Sequence, residues 1–228
     1  MISFKHLHVG LTNRCRLLCP ECTRNASNNK YIHSMFDINV EHFKKFLVEC
    51  KPWEILFCGN WGDPIYSEDF LGLLRELKTK YPVARIIIHT NASGKTTGWW
   101  EEFAEIIGSQ DIVFFSIDGT PENYNRYRIN SKWEDVENAV KTCVRVKNQL
   151  NKKTRYIWKH LVFSYNENTL IEAYNKSKEL DIAFQLQESM VFGEKWQTVS
   201  GGGVWLKTTR PFEEIEKEFN EQKDNPLL

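Results

Sequence analysis

Between residues 4 and 186, six short runs of strand-like apolar residues are separated by five stretches whose apolar residues recur every three or four positions. This alternation limits the fold more than any other feature of the chain. Strands are predicted over 4–11, 53–58, 84–89, 112–117, 156–163 and 182–186. Asn39 reads as the cap of a helix carrying Val40, Phe43 and Leu47 on one face, and Ser67 as the cap of one carrying Phe70, Leu74 and Leu77. A third helix covers 98–108, and Ser131 with Glu134 forms a capping box for a long one over 132–150. The fifth starts near Asn168 with Leu170, Tyr174 and Ser177 inward. Strands joined through helices by short connections run parallel with right-handed crossovers, so the class is α/β, either a partly closed barrel or an open sheet. No domain boundary appears before about residue 190, which makes 1–190 one core. Residues 191–228 then form a Gly-rich loop around Gly201-Gly202-Gly203 and an acidic helix over 212–222, both expected to pack on that core, and a frayed tail at 225–228.

The connection after the first strand holds Cys15-Arg16-Leu17-Leu18-Cys19-Pro20-Glu21-Cys22. Six Cys scattered at random in 228 residues would give C-x3-C-x2-C with a probability of roughly 0.4%. Thiolates are soft ligands suited to zinc or iron–sulfur clusters. A closed zinc site takes four ligands, and a cubane held by protein alone takes four Cys. Three Cys with no fourth nearby predict a [4Fe–4S] cluster with one iron open to another molecule. Cys50, Cys58 and Cys143 are scattered and read as small buried hydrophobes.

Ligand sites in parallel α/β architectures lie at the C-terminal ends of the strands. Asn60, Gly62 and Asp63 follow the second strand, and Thr90 and Asn91 the third. Ser116 and Asp118 end the fourth, Asn166 follows the fifth and Gln187 ends the sixth. Strand parity gives a second set. With Leu7 and Val9 facing helices, His6 and His8 point inward. With Phe184 and Leu186 outward, Gln185 and Gln187 point inward, and His160 is assigned to the inside of strand five. These five residues are the candidate lining of a substrate pocket.

Cys15, Cys19 and Cys22, led in by Thr12-Asn13-Arg14, resemble the cysteine motif of radical S-adenosylmethionine (SAM) enzymes. Gly62-Asp63-Pro64 is similar to that family's "GGE" loop after strand two, and Asp118 stands where the family contacts the SAM ribose. The resemblance covers roughly residues 5–190 and implies a partial (β/α)6 barrel. It implies that the three Cys hold three irons of a [4Fe–4S] cluster and that SAM chelates the fourth. Reductive cleavage of SAM then yields a 5′-deoxyadenosyl radical that removes hydrogen from a substrate. By the same resemblance Gly62 and Asp63 take the SAM amino group, Asn60 of the same loop is a further cofactor contact, and Trp61 is the substitute for the adenine packing that Glu21 does not supply. Ser116, Asp118 and Asn91 hold the ribose, Arg128 grips the SAM carboxylate, and Asn166 lies near the adenosine. A reduced flavodoxin or ferredoxin-type protein would supply the electron. The chain departs from the family at Glu21, where a large apolar residue is usual, and at Asp63, one methylene shorter than Glu. The surroundings of Tyr127-Arg128-Ile129-Asn130 are nearest to peptide-modifying members, so a peptide or protein substrate is expected ahead of a small metabolite or nucleotide. The alternative of another class is a non-catalytic zinc or Fe–S protein.

Lys plus Arg and Asp plus Glu both number 30, and a balanced charge argues against strong non-specific nucleic-acid binding. No apolar run reaches membrane-span length and no signal-like segment opens the chain, so a cytoplasmic protein is expected.

Overall fold

The computed structural model describes residues 2–20, 22, 24, 36–48, 50–59, 61–189, 195–197 and 203–224. Strand β1 (Ile2–Val9) leads through the cysteine loop to helix α1 (Val40–Val48), then β2 (Cys50–Phe57) and α2 (Phe70–Lys80). The pattern repeats through β3 (Arg85–Thr90), α3 (Thr97–Ile106), β4 (Ile112–Ser116), α4 (Trp133–Gln149), β5 (Arg155–Val162), α5 (Leu170–Glu179) and β6 (Ala183–Glu188). A short antiparallel pair, β7 (Lys195–Gln197) and β8 (Gly203–Trp205), precedes α6 (Phe212–Gln222). The six main strands pair in chain order, all in parallel. Strands β1 and β6 are the two edges of this sheet and are not paired with each other, so the barrel is not closed.

One parity of each strand faces the helices. Val9, Ile55, Phe57, Ile86, Ile88, Val113, Phe115, Tyr156 and Trp158 pack with Phe43, Leu47, Leu74, Trp100, Phe103, Val136 and Val140 in a single apolar cluster. The opposite parity, which includes His8, Cys58, His89, Ser116, Lys159 and Gln185, faces the concave side. Two adjacent turns are fastened at the N-terminal end of the sheet by fully buried Asp111. Its carboxylate accepts from Ile86 N at 2.8 Å, Gly108 N at 2.7 Å and Lys78 Nζ at 2.6 Å.

The caps differ in part from expectation. Asn39 does cap α1, its Oδ1 accepting from His42 N at 3.0 Å. Helix α2 is capped instead by Asp69, whose carboxylate accepts from Gly72 N at 3.0 Å. Ser67 ends the single 3-10 turn Pro64–Tyr66 that intervenes. Helix α4 has no side-chain cap, because the Ser131 hydroxyl donates to the Arg128 carbonyl.

Helix α6 matches its predicted span and lies on α5 and β6, with the Phe219 ring 5.7 Å from Tyr174 and 5.6 Å from Phe184. Leu206 is fully buried, and Ser164 N donates to its carbonyl at 3.2 Å. Gly203 opens β8 rather than lying in a loop, while Gly201, Gly202 and the tail at 225–228 fall outside the described residues. No described helix is long and apolar enough to cross a membrane.

Candidate active site

The C-terminal ends of the strands surround a cavity of about 300 Å³ whose wall includes Cys15, Cys19 and Cys22. The loop that carries them is held from two sides. Leu18 N donates to Ile129 O at 3.0 Å and Asp63 N donates to Arg14 O at 3.0 Å. Gly62 lies so close to this loop that a Cβ would overlap the carbonyl oxygens of Thr12 and Arg14, and a Cβ on Gly59 would overlap Gly62 itself. The sequence therefore needs glycine at both places. Behind the thiols Leu17, Tyr127, Phe163 and Leu206 form a separate buried apolar cluster that includes Cys19.

Two of the three sulfurs receive a donor. Asn91 Nδ2 points to Cys15 Sγ at 3.4 Å, and an Arg128 terminal nitrogen points to Cys19 Sγ at 3.8 Å. Burial, reinforced by the Asp63 charge, pushes the Cys15 thiol up. Burial pushes Cys19 up to about 12, with Cys22 and Cys15 adding to the rise and Arg128 opposing it. The bare chain therefore cannot hold three thiolates together. A positively charged centre bound to all of them removes that conflict. Among the described residues no three Cys, His, Asp or Glu close on a point as a single ion would require. Three thiols on one wall, in an apolar jacket and with the cavity in front, fit a cluster with an open corner.

The other candidates separate into those that reach the cavity and those that support it. Gly62, Asp63, Asn91, Ser116 and Arg128 line it. Asp63 is buried and both its oxygens are taken: Oδ1 accepts from Ile65 N at 3.2 Å, and Oδ2 from Asn91 N at 2.6 Å and Thr90 Oγ1 at 3.2 Å. Burial pushes its carboxyl up to about 6 against these bonds. Asp118 is fully buried and does not line the cavity. Its Oδ2 pairs with Arg128 Nε at 2.7 Å and a terminal nitrogen at 2.6 Å, and its Oδ1 accepts from Leu161 N at 2.9 Å. The two residues expected to grip different parts of SAM thus grip each other. Asn166 is also fully buried, its amide donating to Asp118 O at 3.1 Å and Leu161 O at 3.0 Å and accepting from Phe163 N at 2.8 Å. It ties the ends of β4 and β5 together and has no cavity face. Trp61 is 37% exposed and off the wall, and Asn60 and Glu21 lie outside the described residues.

Parity places His8, Gln185 and Gln187 on the concave side, although none lines the cavity. His8 Nε2 lies 3.4 Å from Cys58 O. His6 sits at the opposite end of the sheet, its Nδ1 2.9 Å from Glu54 Oε1, in a second hollow of about 760 Å³ with Trp53, Val83 and Arg85. The structure corrects the assignment of His160. It is fully buried on the helix side, its ring 6.4 Å from Trp158 and 5.5 Å from Phe184. The inward residue of β5 at that level is Lys159, which sequence reasoning missed, as it missed Cys58 and His89 on the same wall. Burial, then the charges of Lys159 and His8, push the His89 imidazole down to about 4. The signal for Lys159 was its identical parity with Ser116 and Gln185, its partners in register.

Among known proteins, the chain matches over 124 residues the "Tungsten-containing aldehyde ferredoxin oxidoreductase cofactor-modifying protein" of Pyrococcus furiosus. Identity is 27%, covering 53% of this chain and 33% of that one. Among solved structures it resembles SuiB of Streptococcus suis bound to S-adenosylmethionine, with a TM-score of 0.65 at 16% identity over 97% of this chain and 48% of that one. SuiB bound to its precursor peptide SuiA gives a TM-score of 0.64 at 16% identity, covering 97% and 46%. The protein anSMEcpe with bound AdoMet and the Cp18Cys peptide gives 0.58 at 18% identity, covering 88% and 55%. The chain spans a third of the curated relative and about half of these structures. The family model described as "Radical SAM superfamily" matches residues 9–179, from the last residue of β1 to the end of α5. That stretch contains the three thiols, the glycine loop packed on them and the parallel strands that carry both, and by this match the chain belongs to the radical SAM superfamily, whose members use a [4Fe–4S] cluster and SAM.

Proposed function

We propose that this chain is the core of a radical SAM enzyme that modifies a peptide or protein. The carrying observation is the convergence of Cys15, Cys19 and Cys22 on one cavity wall, with the glycine loop and the Arg128 guanidinium beside them. When bound, the cluster and SAM supply the chemistry: one electron cleaves SAM to methionine and a 5′-deoxyadenosyl radical, which takes a hydrogen atom from substrate.

The protein's part is to hold and exclude. Cys15, Cys19 and Cys22 hold the cluster, and Leu17, Tyr127 and Phe163 keep water from its back. Asp118 acts as a positioning residue: it fixes Nε and one terminal nitrogen of Arg128 and leaves the other terminal nitrogen toward Cys19, where it would be free to take the SAM carboxylate. Ser116 serves the ribose. Asp63 has spent one oxygen on its own loop and the other on Thr90 and Asn91 at the end of β3, which leaves the SAM amino group to the backbone around Gly62. A peptide substrate is supported by the open edge between β1 and β6 and by the likeness to SuiB and anSMEcpe, both seen with peptides bound. The match to a protein named as cofactor-modifying supports a second reading, a small-metabolite substrate. A reduced flavodoxin or ferredoxin-type protein is the proposed electron donor.

The test is anaerobic reconstitution with iron and sulfide, then dithionite and SAM. Release of 5′-deoxyadenosine is expected. A preparation that takes up zinc and leaves SAM intact would sink the proposal.

A further inference from the structure

Lys159 stands on the concave face of β5, in register between Ser116 of β4 and Gln185 of β6. Its side chain lines the cavity that holds the three cysteines. Among the described residues no hydrogen bond or ion pair reaches that side chain. The carboxylates at this end of the sheet are engaged elsewhere, Asp63 by Ile65, Thr90 and Asn91, and Asp118 by Arg128 and Leu161. Among the described residues its other neighbours on that wall, His89 and Cys58, offer no negative charge. Burial and then the lysine's own field hold His89 neutral at pH 7, and burial raises the Cys58 thiol against the pull of the lysine. The contact to the Cys19 sulfur comes instead from Arg128, at 3.8 Å, and Lys159 stands on the β5 side of the same wall with Cys58 and His89.

An ammonium next in register to a hydroxyl and an amide, with no free carboxylate in reach among the described residues, has the donor set of an anion site. We propose that Lys159, which lines the cavity next in register to Gln185, anchors a carboxylate or phosphate group of the substrate, while Ser116 on its other side is left to the SAM ribose. This rests on the radical SAM reading and narrows it. In a peptide the anchored group is an Asp or Glu side chain or a terminal carboxylate. The same chemistry is present in SAM, whose own carboxylate is the competing source.

The experiment uses cluster-loaded wild type, Lys159→Met and Lys159→Arg under anaerobic calorimetry. Each is titrated with SAM, with decarboxylated SAM, and, once SAM is bound, with glutarate and inorganic phosphate. Glutarate or phosphate is expected to bind the SAM-loaded wild type, to bind the Met variant at least about tenfold more weakly, and to recover with Arg, as for loss of one charge-assisted bond. SAM affinity is expected to change by less than about threefold, the preference for SAM over decarboxylated SAM being kept. The proposal is overturned if neither anion binds wild type or if the Met variant binds them equally. It is overturned as well if the Met variant loses the preference for SAM over decarboxylated SAM, which would give Lys159 to the cofactor. Wild type that binds the anions but releases no 5′-deoxyadenosine counts against the proposed reaction and leaves the anion site standing.

Discussion

Cys19 is the most enclosed of the three thiols proposed to hold the cluster, and an Arg128 terminal nitrogen lies 3.8 Å from its sulfur. Replacing it removes a ligand that nothing else at that depth can supply. Cys19→Ala is expected to abolish the visible absorbance of the reconstituted cluster and SAM cleavage with it, while the far-ultraviolet circular dichroism stays that of the wild type. Asp63 poses a different problem. Both its oxygens accept bonds in a buried setting, and an amide in its place must turn an NH2 toward donors. Asp63→Asn should therefore cost about 1–3 kcal/mol in urea unfolding, as expected for buried groups left unpaired. A variant as stable as wild type would mean that the loop does not depend on this carboxylate.

At the scale of elements, the contact between the loop after β2 and the cysteine loop is backbone against backbone. Gly62→Ala must push the two loops apart. Lower iron content per chain after reconstitution is expected, with stability reduced by about 1–3 kcal/mol, the usual cost of overpacking. Strand β5 supplies a pH-dependent prediction. His160 is fully buried, and burial pushes it from 6.5 to about 4 against the opposing pull of the Asp118 charge and the Asn166 amide. The unfolded chain binds more protons in that window, so stability is full above pH 6.5 and is lost as pH falls toward 4. The loss from this residue is of order 3 kcal/mol, and His160→Phe should flatten the slope of melting temperature against pH.

The same strand marks the limit of what the sequence could tell. Six strands and the acidic last helix could be read from periodicity, because each pairs an apolar face with a simple turn signal, whereas periodicity left an open sheet and a partial barrel both standing and the side-by-side order came only with the family resemblance. The three thiols proposed to hold the cluster were singled out by spacing alone, and the structure places them on one cavity wall. In β5, however, Tyr156, Ile157 and Trp158 are apolar in a row, so alternation does not say which side is inward. Lys159 was hidden behind His160 for that reason. The pairing of Asp118 with Arg128 was hidden too. It depends on how the 3-10 turn Tyr124–Arg126 folds back, which residue types ten positions apart do not disclose. Both Asn166 and Asp118 are polar groups at strand ends, and only their buried partners distinguish a support from a contact.

At the scale of the whole molecule, the segment after β6 is fastened to the sheet chiefly by aromatic contacts. Phe219 joins α6 to Tyr174 and Phe184. Phe219→Ala is expected to cost about 3 kcal/mol and to expose the segment after residue 188 to limited proteolysis before the sheet is cut. Proteolysis that starts in α1 to α5 instead would place the weakest join elsewhere. The unpaired edges of β1 and β6 have a consequence for the chamber as well. In a closed barrel, strand number and shear fix the bore. Here no hydrogen bonds link the first strand to the last, and the width between them follows only from the twist gathered over five pairings. The chamber is a jaw rather than a pipe: a long chain has its middle residue within reach of the catalytic end without either terminus being threaded through.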